Sequence, residues 1–155
     1  MGLTVTAYAG LTPVPDWMHP EDLRKLAPSM FLFLPGNHEP LNGMADPLET
    51  GDYYGAKADF TFNAGSYDAY NRWRKDLYAL ASDQREDWSG PFYELINFSD
   101  CEGTIGTTAC VKLRKDFDRL YSTAARVLPK KGIALYRQFW RAFELASDGG
   151  AVVFH

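Results

Sequence analysis

The chain has 155 residues, of which 46% are apolar, 23% charged and 15% aromatic, and its formal net charge is −4. These values fit one globular domain, residues 1–155, with an aromatic-rich core, and they exclude an intrinsically disordered chain. No apolar run approaches the roughly 20 residues of a membrane helix, and residues 1–10 lack a basic start and a small-residue cleavage pattern. The expected compartment is therefore the reducing cytoplasm, with no membrane partner. Cys101 and Cys110 are too few and too close to form a disulfide framework, and two buried, reduced thiols are expected.

Residues 3–9, LTVTAYA, alternate β-branched and aromatic residues and predict a strand. Pro20 with Glu21 and Asp22 opens a short helix that Pro28 stops. The apolar run 30–34 follows, and then a long connection, residues 35–59, holding three prolines and four glycines. Connections of that length are uncommon unless they carry function, and Tyr53 and Tyr54 are candidates to anchor it or to form part of an interaction surface. DFTFNA, residues 59–64, predicts a second strand by its period of two.

Three helices are clear from periodicity. The first starts at Ser66 as N-cap and carries Tyr70, Trp73, Leu77 and Leu80 on one stripe. The second starts at Thr107 or Thr108 and runs through Cys110, Leu113, Phe117, Leu120 and Ala124 to Leu128, before Pro129. The third begins near Lys131, carries Tyr136, Phe139, Trp140, Phe143 and Ala146 on one stripe, and stops at Gly149–Gly150. The closing AVVFH predicts a strand that pairs with the first. The expected fold is α+β: a small sheet holding the N- and C-terminal strands, packed by three main helices.

Four stretches could carry chemistry. Gly36-Asn37-His38-Glu39 after an apolar run has the look of the Asn-His turn of binuclear metallophosphoesterases. Those enzymes need a bridging carboxylate and several more His or Asp ligands. The chain has three histidines, His19, His38 and His155, and no Asp-x-His. The phosphoesterase reading is rejected, the turn is expected to be structural, and neither metal nor cofactor is assigned.

The second stretch is 97–108, NFSDCEGTIGTT, which gathers Asp100, Cys101 and Glu102 beside two glycines ahead of a helix. It is the candidate pocket for an enzyme or a small-ligand or metal-binding protein, with His155 as a further candidate. Two carboxylates are few for a metal, and acids beside Cys101 oppose formation of its thiolate. The third is the aromatic and basic helix start with Tyr67, Arg72 and Arg74, a candidate interaction surface. The fourth is the segment 112–141, with nine basic residues against two acidic ones, a net of +7 that leaves −11 for the remainder. It is the candidate for nucleic-acid binding, or the wet faces of two helices compensated by the acidic remainder.

The segments AGSYDAYNRWR, GPFYELINFSDCEGTIG, KLRKDF and FELASDGGAVVFH resemble those of a family of bacterial, phage and prophage proteins with no established activity. The resemblance spans residues 62–155 and implies a cytosolic, phage-linked setting without assigning any functional residue. With no catalytic constellation and with abundant Tyr and Trp, the expected function is binding to a protein partner.

Overall fold

Strand β1 (Gly2–Ala9) sits inside a four-stranded antiparallel sheet, and its alternation is what the sheet is built on. The computed structural model describes residues 2–155 apart from 16, 20, 23–30 and 38–42, and the side chains of 31–33. In chain order β1 is followed by β2 (Thr12–Pro13), β3 (Phe31–Phe33), β4 (Tyr53–Gly55) and β5 (Ala58–Ser66). Then come α1 (Tyr67–Ala79), the short α2 (Tyr93–Asn97), β6 (Gly103–Ile105), α3 (Thr107–Val127), α4 (Lys130–Ala146) and β7 (Ala151–Phe154). The main sheet has the order β5-β1-β7-β6, so the first and last strands do pair, with Val5 opposite Phe154.

Leu3, Val5 and Ala7 of β1 and Val152 and Phe154 of β7 face the helices and are buried with them in one core. The α1 stripe buries Tyr70, Trp73 and Leu77, as its spacing predicts, and the Ser66 hydroxyl accepts the Ala69 N–H at 3.2 Å as N-cap. Phe139 of α4 is the centre of the core. Its ring lies 5.0 Å from Phe62, 5.0 Å from Trp73 and 5.8 Å from Tyr70. Each aromatic buried this fully contributes roughly 1.5–3 kcal/mol by removal from water.

The other face of the main sheet is not bare. Strands β2, β4 and β3 form a second antiparallel sheet, and Leu34, Tyr54 and Ala56 cluster with Ala151 and Val153 of β7 and with Tyr8 of β1. The 35–59 connection thus contains a strand, β4. It is anchored further by Tyr54, whose buried hydroxyl accepts the Glu49 N–H at 3.0 Å. Residues 44–46 lie over the start of α3: Gly106 N–H donates to the Met44 carbonyl at 2.8 Å and Thr108 N–H to the Asp46 carbonyl at 3.1 Å. That approach requires glycine, because a Cβ on Gly106 would stand 2.0 Å from the Ala45 carbonyl oxygen. The short helix expected between Pro20 and Pro28 falls mostly outside the described residues, as do His38 and Glu39.

Candidate functional site

Asn37, from the Gly-Asn-His-Glu turn, works as a piece of strand. Its Nδ2 donates to the Thr104 carbonyl at 2.8 Å and its Oδ1 accepts the Thr104 N–H at 2.9 Å, while the Thr104 hydroxyl donates to the Pro35 carbonyl at 2.8 Å. Thr104 belongs to β6, an edge strand of the main sheet, and these bonds satisfy its outward-facing backbone groups. Pro35 and Asn37 are therefore docked against the very segment that carries Asp100, Cys101 and Glu102.

That segment divides in two directions. Asp100 accepts the Asn71 Nδ2 at 2.7 Å and is tied to α1. Of the two thiols expected to be buried only Cys110 is; Cys101 lies exposed in the turn before β6, and its N–H and that of Glu102 donate to the Ser99 hydroxyl at 3.3 Å each. Glu102 is exposed as well. His155 ends the sheet on the face away from the helices, where its Nε2 is 2.9 Å from the Thr6 hydroxyl, which in turn meets the Thr61 hydroxyl at 3.0 Å. Continued by one residue, the β6–β7 register sets Glu102 opposite His155. Asp100, on the α1 side, points to a different neighbour. Among the described residues no three His, Cys, Asp or Glu side chains converge as metal ligands. The N–H groups of Gly106 and Thr108, which an anion at the start of α3 would need, already donate to the carbonyls of Met44 and Asp46.

The aromatic and basic start of α1 is used internally. Arg74 donates from Nη1 to the Ile96 carbonyl at 3.1 Å and to the Phe98 carbonyl at 2.5 Å, and from Nε to Asn71 Oδ1 at 3.1 Å. It closes the C-terminal end of α2, where carbonyls lack helical partners and favour a cation. Its guanidinium also lies 5.0 Å from the Tyr70 ring centroid. Tyr67 packs half-buried on the core, Tyr53 is half-buried in β4 and Tyr54 is buried; Arg72 alone of this set is exposed. In the basic segment Lys112, Arg114 and Arg119 each meet an acid: Glu94 and Asp116, Asp118 and Glu144, and Asp83 respectively. The face is charge-mixed, not uniformly basic.

A different cluster stands out. Lys112 Nζ lies 2.8 Å from Glu94 Oε2 and 2.7 Å from Asp116 Oδ2, and it also donates to the Gly90 carbonyl. Glu94 is only 2% exposed, and burial pushes its carboxyl above the ordinary range, against the pull of Lys112. Asp116 accepts the Phe92 N–H at 3.0 Å, holding a non-glycine residue at φ 58. The Phe92 ring is buried 4.9 Å from Phe117. One lysine and two acids thus fasten residues 90–94 onto α3.

What this fastening presents is a ridge of aromatic side chains. Trp88 is 47% exposed with its ring 5.4 Å from Tyr93, and Tyr78 at the end of α1 is 49% exposed. Tyr78 and Tyr93 line a cleft of about 320 Å³ with Arg85, Glu86 and Ile96. Trp88 lines a second, of about 430 Å³, with Asp46, Glu94, Thr108 and Lys112. Sequence reasoning passed over these residues. The available signal was Trp88 itself, a lone aromatic inside the polar run SDQREDWSG.

No family model, no curated protein and no solved structure matches this chain. Among the described residues no helix is long and apolar enough to cross a membrane.

Proposed function

We propose that this chain acts by binding a protein partner, which docks on the ridge formed by Tyr78, Tyr93 and Trp88. The single observation that carries the reading is Trp88, half-exposed, with its ring tilted against Tyr93 at 5.4 Å on a segment that the Glu94–Lys112–Asp116 cluster fastens to α3. Protein interfaces concentrate their energy in Trp, Tyr and Arg side chains on rigid supports, with adjoining clefts that receive the partner's own anchors.

The rim of the ridge carries Asp46, Glu86 and Asp87 against Arg85, and the Lys112 ammonium in the Trp88 cleft is already paired with Glu94 and Asp116. Hydrogen bonds from the Ser89 hydroxyl and N–H lower the Asp87 carboxyl and keep it ionised. The partner that suits this surface is a segment with apolar or aromatic anchors flanked by Lys or Arg, which can also lie over the Trp88 face. The resemblance to phage and prophage proteins makes a cytosolic protein of the host cell or phage the expected partner.

The test is affinity capture from host lysate by the wild-type chain and by a Tyr78→Ala/Trp88→Ala variant, with folding of both verified by circular dichroism. A protein retained by the first and lost by the second supports the reading. Equal retention by both, or nothing retained by either, defeats it.

A further inference from the structure

The main sheet has two edges, and the chain treats them differently. At β6 the outward backbone groups of Thr104 are closed by the Asn37 side chain. At β5 no strand lies against the outer edge among the described residues.

The register shows which groups that edge offers. Thr4 exchanges both backbone hydrogen bonds with His155, at 2.9 Å each, so Thr4, Thr6 and Tyr8 direct their N–H and C=O toward β7. Val5 and Ala7 then face β5 and pair with Phe62 and Phe60. Asp59, Thr61 and Asn63, opposite Tyr8, Thr6 and Thr4, direct their own N–H and C=O outward. All three are exposed, and the run holds no proline and no lysine that would blunt it.

The two ends of this edge carry opposite charge. The Asn63 end opens on a groove of about 570 Å³ lined by Ala64, Arg72, Trp73, Asp76, Lys131 and Leu135, a net of one positive charge. The Asp59 end opens on a cleft of about 490 Å³ lined by Asp59, Phe60, Arg141, Glu144, Leu145 and Asp148, a net of two negative charges.

We infer that the occupant of the β5 edge is a second copy of this chain, paired antiparallel about a twofold axis at Thr61. That register places Thr61 beside Thr61 of the second copy and Asp59 opposite its Asn63, so no like charges meet on the strands. Phe60 falls opposite Phe62 of the second copy on the helix face. The axis stands perpendicular to the sheet, so both helix layers lie on one side. The Arg72 and Lys131 end of each copy then faces the Glu144 and Asp148 end of the other. The two four-stranded sheets become one, with the exposed main-chain groups of both edges satisfied.

The experiment is sedimentation equilibrium on the full chain, in low and high salt, with three variants. The wild type is expected at twice the 17.5 kDa chain mass. Arg72→Glu/Lys131→Glu changes exposed side chains only and is expected to weaken the dimer at least about tenfold by opposing like charges. Glu144→Lys/Asp148→Lys is expected to weaken it similarly, and an equimolar mixture of the two variants to restore it. Thr61→Pro removes an outward N–H and is expected to leave a monomer. A wild type that stays monomeric at 0.1 mM, taken as an order-of-magnitude ceiling far above specific-interface dissociation constants, overturns the inference. A dimer indifferent to both charge reversals overturns it too, whatever becomes of Thr61→Pro.

Discussion

Asn37 and Thr104 are joined by two hydrogen bonds, of 2.8 and 2.9 Å, through which a side-chain amide completes the edge of β6 as a neighbouring strand would. Asn can do this because its amide carries a donor and an acceptor in the same relation as a peptide group. Thr104 is wholly buried, so its N–H and C=O have no recourse to water if the amide is removed. Asn37→Ala is expected to destabilise the fold by about 2–3 kcal/mol in urea titration, consistent with leaving two backbone groups unsatisfied. Asn37→Asp keeps the acceptor but sets a carboxylate oxygen against the Thr104 carbonyl, and is expected to cost at least as much.

Arg72 and Arg74 stand two residues apart on α1 and are expected to behave differently. Arg74 is bonded to the Ile96 and Phe98 carbonyls and to Asn71, which holds Asp100. Truncating it strands those acceptors, and Arg74→Ala is expected to cost roughly 3 kcal/mol, at the upper end for charge-assisted bonds. Arg72 is exposed, and Arg72→Ala is expected to stay within about 0.5 kcal/mol of wild type. Thermal melts of the two variants side by side decide the matter; equal melting temperatures would contradict the assignment.

The two thiols should separate cleanly in chemical labelling. Cys101 is exposed, whereas Cys110 is fully buried, with its thiol pushed far up by burial and donating to the Ile105 carbonyl at 3.4 Å. A disulfide reagent is expected to titrate one thiol on the folded chain and the second only after denaturant is added. Cys101→Ser should abolish the fast reaction and leave the slow one.

Glu94 makes stability depend on pH in a stated direction. Its folded carboxyl is raised above the ordinary value of 4.5 by burial, so between 4.5 and that higher folded value the folded state holds a proton that the unfolded chain has released. Its contribution is fully present below about 4.5 and is lost as pH rises through the higher folded value. The stability of wild type relative to Glu94→Gln is therefore expected to fall as pH climbs above that point. Denaturant titrations at pH 4 to 8, a range of order-of-magnitude breadth around ordinary carboxyl titration, would show a flat difference if Glu94 were not raised.

How far these features were legible follows from their length and period. Tyr70, Trp73 and Leu77, or Tyr136, Phe139 and Phe143, repeat over several turns with one face to the core, and periodicity alone locates α1 and α4. The pairing of β1 with β7 was likewise within reach, because both are apolar strands at the ends of one small domain. Strands β4 and β6 have three residues each, too short to show a period, and exist through partners distant in the chain. Arg74 looked like a surface residue because its partners, the carbonyls at the end of α2, lie more than twenty residues further on. Trp88 belongs to no periodic element, and its loop is tied down by contacts no local pattern shows: Lys112 on the Gly90 carbonyl, and the Ser89 and Gly90 N–H groups on Asp87.

The most direct test of the binding account is the affinity of a captured partner for the wild type and for Trp88→Ala, with exposed Arg126→Ala at the far end of α3 as a remote control. The account predicts that losing Trp88 raises Kd at least about tenfold, the effect of removing an interface anchor, while the control leaves it unchanged. A Kd that is the same for wild type and Trp88→Ala would contradict it.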